Sequence, residues 1–235
     1  MSLAVYYHYY NLTWNLGECA QMENYIFDFD GTLADSGQAA VLATQSAFKE
    51  FNLATPTTSQ IEYYMGIPIE VSFKKMAPGH FFSEQAFSDL LTIFRRQYQI
   101  AEQTSLTLFP QMKSVLQQLM YNQKHLFVVS SKHSTPLKRN LVQLHIAEYF
   151  QAVVGSDQVT HFKPAPDGVL QVLNQYSLSK DDSIMIGDAI FDLQMGQAAN
   201  IHTCGVTWGA HSVNELNKQH PDYLLNTVSD LLTIH

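Results

Sequence analysis

Two carboxylates two residues apart, Asp28 and Asp30 in Asp28-Phe29-Asp30-Gly31-Thr32, are the strongest chemical signal in this chain. They follow an apolar run, Tyr25-Ile26-Phe27, that reads as a short buried strand. Residues two apart share one face of an extended strand. At a strand end the chain turns, and the pair can part into separate tasks. One carboxylate can attack as a nucleophile; the other can pass a proton. Gly31 lets the backbone approach a ligand closely. Together these residues suit covalent phosphoryl chemistry. The plainer alternative is a strand followed by an Asp-Gly turn.

Three more stretches carry the same logic. Asp188 ends the apolar run Ile184-Met185-Ile186-Gly187, and Asp192 follows four residues later, where a helix is expected to begin. That spacing predicts both carboxylates on one side of a first helical turn. Lys163 opens Lys163-Pro164-Ala165-Pro166-Asp167, a stiff loop entering a helix. Ser130, then Ser131 and Lys132, follow the apolar run Leu126-Phe127-Val128-Val129. So four loops, each just after a strand, carry Asp/Asp, Ser, Lys and Asp/Asp in that order. In open α/β sheets ligands bind at the carboxyl ends of the strands.

The chain resembles the phosphatase branch of the haloacid dehalogenase superfamily, closest to its phosphoglycolate-phosphatase-like and pyrophosphatase-like members. DxDGT spans Asp28 to Thr32, followed by a fitting Leu33-Ala34-Asp35-Ser36. An apolar strand ends at Ser130, a Lys-Pro pair stands at Lys163, and GDxxxD runs from Gly187 to Asp192. The resemblance covers about residue 23 to the C-terminus, including Val206-Thr207-Trp208-Gly209. Two departures avoid the catalytic positions. Gln111 and Asn200 stand where relatives often carry Gly, and Asn tolerates a left-handed backbone.

The resemblance implies an aspartyl-phosphate mechanism. Asp28 is the expected nucleophile and Asp30 the general acid/base. Asp28, Asp30, Asp188 and Asp192 crowd negative charge that a divalent cation relieves, and Mg²⁺ prefers such oxygens. By resemblance Asp28 and Asp188 bind the cation through side chains and Asp30 through its backbone carbonyl. Asp192 binds directly or through water, or simply caps its helix. Lys163 neutralises the phosphoryl oxygens, and Ser130 with the Ser131 N–H holds one of them. Gly31 and Thr32 line the loop. Lys132 faces either the substrate or solvent, and Asp167 is expected to cap a helix. The implied activity is Mg²⁺-dependent hydrolysis of a small phosphorylated metabolite. A sugar-phosphate mutase, an inorganic pyrophosphatase and a non-catalytic phosphate-binding protein remain as alternatives.

These loops need a frame. Alternating patterns predict helices over 111–122, 134–144, 165–176 and 189–199. Strands are expected over 24–30, 126–130, 152–155, 183–187, 202–206 and 222–225. That is an α/β fold: a Rossmann-like parallel sheet with helices on both faces. Residues 35–107 read as nearly all helical, with Ser83 capping a long helix to about Gln103 and Ser59 to Glu62 opening a shorter one. They are expected to form an inserted helical cap between core segments 22–34 and 108–235, with hinges near Leu33 to Ser36 and Leu106 to Pro110. Gly66 to Glu70 and Lys74-Lys75 either approach a second anionic group of the substrate or, the favoured reading, form a turn and a solvated face.

The net charge of -8 argues against a nucleic-acid partner, and no apolar run spans a membrane. Two cysteines, Cys19 and Cys204, fit a reducing cytoplasm. The ten histidines show no ligand spacing and are expected mostly at the surface. Residues 1–21 read as an N-terminal extension without a basic or apolar secretion signal, either an added strand or an interaction arm. Nothing in the sequence speaks to oligomeric state.

Overall fold

The computed structural model describes residues 22–235. The expectation for residues 1–21 lies outside the described residues. Six strands form one parallel sheet: β1 (Asn24–Phe27), β4 (His125–Val129), β5 (Ala152–Val154), β6 (Ser183–Gly187), β7 (His202–Val206) and β8 (Tyr223–Leu225). Their order is β5-β4-β1-β6-β7-β8. The chain therefore builds outward on one side of β1, then returns to build on the other. The reversal between β1 and β6 is the topological switch point, where ligands bind in such sheets.

β1 shows why the apolar runs form this sheet. All four of its residues are buried. Tyr25 and Phe27 enter one apolar layer with Leu126, Val128, Ile184 and Ile186. Ile26 enters the opposite layer with Phe127, Val129 and Met185. A strand covered on both faces has no polar face to alternate with, which is why these runs are continuously apolar. The covering helices are α5 (Met112–Tyr121), α6 (Ser134–Gln143), α7 (Asp167–Tyr176), α8 (Ile190–Ala199) and the short α9 (Val213–Asn217).

Between β1 and α5 lie four helices: α1 (Gly37–Glu50), α2 (Thr58–Tyr63), α3 (Ile69–Met76) and α4 (Glu84–Ser105). They form the helical cap and bury their own apolar cluster, with Phe48, Ile61, Phe73 and Leu90 inside. Ala39 and Ala43 of α1 pack against Tyr98 and Ala101 of α4, so small residues one turn apart let the two helices close together. Two two-residue strands, β2 (Ala34–Asp35) and β3 (Thr107–Leu108), pair antiparallel where the chain enters and leaves the cap.

Several expectations shift. The helix expected from Ser59 starts earlier, because Thr57 caps it in a reciprocal pairing with Gln60. Helix α3 begins at Ile69, inside the stretch read as a turn; Lys74 and Lys75 lie on its solvated face as expected, while Ser72, Phe73 and Met76 are buried. The strand from residue 24 ends at Phe27, and the helix expected from 165 begins at Asp167, after Pro166. The β2–β3 pair is too short to carry any periodicity. Ser83 does cap α4, accepting the Ala86 N–H.

Gln111 has φ 67° and Asn200 has φ 56°, both left-handed. Asn tolerates that region and Gln does not. Gln111→Gly is therefore expected to raise stability by about 0.5–1 kcal/mol, and Asn200→Gly by less. Urea denaturation midpoints at constant slope test the ranking.

Candidate active site

The loops after β1 and β6 meet at the switch point, and glycine makes the meeting possible. Gly31 has φ 83°, and a Cβ there would lie 2.2 Å from Asp188 Oδ2. A Cβ on Gly209 would lie 2.2 Å from the Asp188 Cβ. Asp188 is thus clasped between two loops that approach closer than any side chain allows. Its Oδ1 accepts the Thr32 hydroxyl at 2.9 Å, and its Oδ2 accepts the Ala210 N–H at 2.7 Å. Thr32 also accepts the Asp188 N–H at 3.1 Å. Thr32 is fully buried. Its hydroxyl orients Asp188. Gly31 likewise is fitted against Asp188.

Lys163 ties the third loop in. Its Nζ donates to Asp28 Oδ1 and to Asp192 Oδ1, each at 2.6 Å, and all three residues are buried. Asp192 also accepts the Ala189 N–H through Oδ2 at 3.0 Å. It therefore both caps α8 and holds the lysine. Asp188 is not on the first turn of α8, as the four-residue spacing suggested. It precedes the helix and reaches Asp192 because the strand delivers it there. Asp167 sits inside α7, and its carboxylate accepts the His161 N–H at 2.9 Å, pinning the lysine loop rather than capping the helix.

Asp28, Asp188 and Asp192 each offer a carboxylate oxygen within 4.8 Å of the others. Three carboxylate oxygens so close suit a divalent cation, which takes hard oxygen ligands. Burial, opposed by Lys163 and reinforced by Asp192, pushes the Asp28 carboxyl up to about 7. Burial and the charges of Asp192 and Asp28 push Asp188 up to about 8. A divalent cation would relieve this repulsion. For Lys163, burial favours loss of the proton, but Asp192 and Asp28 outweigh it and hold the ammonium above its usual range.

The Asp30 carboxylate points elsewhere and does not join the other three. Lys132 Nζ donates to its two oxygens at 2.9 and 3.2 Å and to the Tyr98 hydroxyl at 2.7 Å. Only 10 % of the Lys132 side chain is exposed, so the solvent alternative for it fails. Tyr98 comes from α4, so this cluster joins cap to core. Ser130 Oγ accepts the Lys132 N–H at 3.3 Å, and Ser131 Oγ donates to the Gly66 carbonyl of the cap at 3.0 Å. A cavity of about 470 Å³ opens beside Asp30, Ser131 and Lys132 and runs under the cap.

Sequence reasoning missed Tyr98, which lies on α4 and bonds Lys132. It also missed His211, which is buried although the histidines were expected mostly at the surface. His211 accepts the Ile190 N–H at 3.3 Å, its Nε2 lies 3.3 Å from the Tyr63 carbonyl, and its ring stacks on Tyr63. Trp208 donates to the Thr32 carbonyl at 3.0 Å, which gives the Trp208-Gly209 pair a positioning task.

Comparison with known proteins agrees with this geometry. Residues 25–206 match the haloacid dehalogenase-like hydrolase family. A Listeria monocytogenes protein named pyrophosphatase PpaX is 30% identical over 211 residues, covering 89% of this chain and 94% of that protein. A phosphoglycolate phosphatase of Colwellia psychrerythraea is 27% identical, covering 90% and 96%. The solved structure of a haloacid dehalogenase-like family hydrolase from Streptococcus pneumoniae superposes with a TM-score of 0.79 at 27% identity, covering 90% and 97%.

The raised carboxyls have a thermodynamic consequence. Unfolded Asp28 and Asp188 lose their protons near 3.8, whereas folded they keep them to about 7 and 8. The folded chain holds more protons across that window, so its stability falls as pH rises from about 4 to 8. In EDTA, urea midpoints are expected to decline over that range. Added Mg²⁺ is expected to raise them most at the alkaline end, where the carboxylates are free to bind it.

Proposed function

This chain belongs to the haloacid dehalogenase-like hydrolase family, and from that premise we propose that it is a Mg²⁺-dependent phosphomonoesterase acting on a small phosphorylated metabolite. The observation that carries the proposal is the division of labour among four carboxylates. Three are buried together with Lys163 across two of them, while Asp30 stands apart at the cavity with Lys132.

In this reading Asp28 attacks phosphorus through a carboxylate oxygen. The ester P–O bond breaks, and the leaving oxygen takes the proton of Asp30. Asp30, now a carboxylate, removes a proton from water as the water oxygen attacks the aspartyl phosphate, releasing phosphate and restoring Asp28. Lys163 balances charge on Asp28 and on the transferring phosphoryl oxygens. Ser130 and the Ser131 N–H hold a phosphoryl oxygen. Asp28 and Asp188, with the Asp30 carbonyl and Asp192 completing the set, would hold Mg²⁺, which supplies positive charge to the phosphoryl group when bound. Gly31, Thr32, Trp208 and Gly209 act on Asp188 and the loop rather than on substrate. Lys132 and Tyr98 keep Asp30 turned to the cavity.

The proposed division of the chain is a core of 22–34 and 108–235 with a cap of 35–107. Work in the cytoplasm is part of the same proposal. No helix among the described residues is long and apolar enough to cross a membrane. A second reading, cleavage of inorganic pyrophosphate, uses the same residues and differs only in the leaving group. Its support is the likeness to the PpaX protein.

Phosphate release from a panel of phosphomonoesters and pyrophosphate tests both. Release is expected to need Mg²⁺, to stop in EDTA and to be abolished by Asp28→Asn. Asp30→Asn is expected to lower kcat by about 10²–10⁴-fold. Turnover that survives Asp28→Asn would sink the covalent mechanism.

A further inference from the structure

The cavity beside Asp30 is large for the leaving groups that the relatives' names suggest. Its volume of about 470 Å³ lies in the range of roughly 300–1,000 Å³ that encloses drug-sized ligands. A second phosphate or a two-carbon acid would leave most of it to water. Its far wall is built from the cap: Met65, Ile69 and Phe94 line it and are only half-buried, so they keep apolar surface to cover.

Its charges are already matched. Every lysine and arginine lining it has an acidic partner. Lys132 is paired with Asp30, and Arg95 lies 3.3 Å from Glu70. Arg139 donates to both oxygens of the buried Glu102, at 2.8 and 3.0 Å. Asp30 and Glu70 themselves line the space. An anionic leaving group would give up its water there for no unpaired lysine or arginine, and beside the Glu70 carboxylate, which is costly. An uncharged carbon skeleton would lose nothing and would cover the cap wall.

We infer that the leaving group is a bulky, uncharged and largely apolar alcohol, aromatic or branched, whose ester oxygen meets Asp30 and whose skeleton lies under the cap. This rests on the phosphatase reading above and names its substrate class.

Two measurements on the Mg²⁺-loaded protein separate the inference from that reading. Acetyl phosphate, too small to use the cap wall, reports on phosphatase chemistry alone. Calorimetry with non-hydrolysable phosphonates reports on the cavity: 1-naphthylmethylphosphonate against 3-phosphonopropionate and methylenediphosphonate. Acetyl phosphate is expected to be hydrolysed, and the naphthyl compound to bind at least about ten-fold more tightly than either charged one. Met65→Ala is expected to weaken the naphthyl compound more than 3-phosphonopropionate. If a charged phosphonate binds as tightly or more tightly while acetyl phosphate is still hydrolysed, the inference is overturned and the phosphatase reading stands. No hydrolysis of acetyl phosphate removes that reading and the inference with it.

Discussion

Crowded negative charge at the edge of a buried sheet is the constraint on which the rest of this structure depends. Asp28, Asp188 and Asp192 lie together in a place that water barely reaches. Isolated buried carboxylates are among the most expensive groups a protein can hold. Here Lys163 bonds two of them, backbone N–H groups reach Asp188 and Asp192, and Thr32 takes the remaining oxygen of Asp188. Such networks stabilise only when each member finds its partners. The two raised carboxyl values show that the protein alone leaves part of the repulsion standing.

Much of the surrounding architecture serves that compensation. The parallel sheet places β1 and β6 side by side, so their carboxyl ends deliver Asp28 and Asp188 to one crevice. Glycines at 31, 187 and 209 remove the Cβ atoms that would collide with Asp188 or Asp192. Asp167 anchors the lysine loop through His161, and Trp208 fixes the loop after β1 through the Thr32 carbonyl. The cap meets this frame at several polar contacts: Tyr98 to Lys132, Ser131 to Gly66, His211 beside Tyr63, and Glu102 to Arg139, Asn140 and Gln143.

The second electrostatic unit, Asp30 with Lys132 and Tyr98, is separated from the first. That separation matters for the chemistry proposed. Asp30 lies at the cavity, where it can meet a leaving oxygen. Tyr98 reports how the cap enters this arrangement. Burial, partly opposed by Lys132, pushes its hydroxyl up to about 12, so it stays neutral beside the lysine.

The core was legible in the sequence because its signals are local. Buried parallel strands need unbroken apolar runs, so β1, β4 and β6 stood out, and the residues just after them are Asp28, Ser130 and Asp188. The left-handed Asn200 and the cap at Ser83 are local as well. Tertiary structure decided what depends on distant neighbours. Thr32 bonds Asp188, 156 residues away, only because the strand pairing sets the two together. Asp30 and Asp28, two apart, were parted by a turn whose outcome rests on Lys132 and Lys163. Tyr98, Arg139 and His211 gained roles only when helices and loops from far along the chain packed against them. Local propensity follows from each residue and its near neighbours. The partner of a buried charge follows from the whole fold, because only the complete packing determines which groups lose their water together.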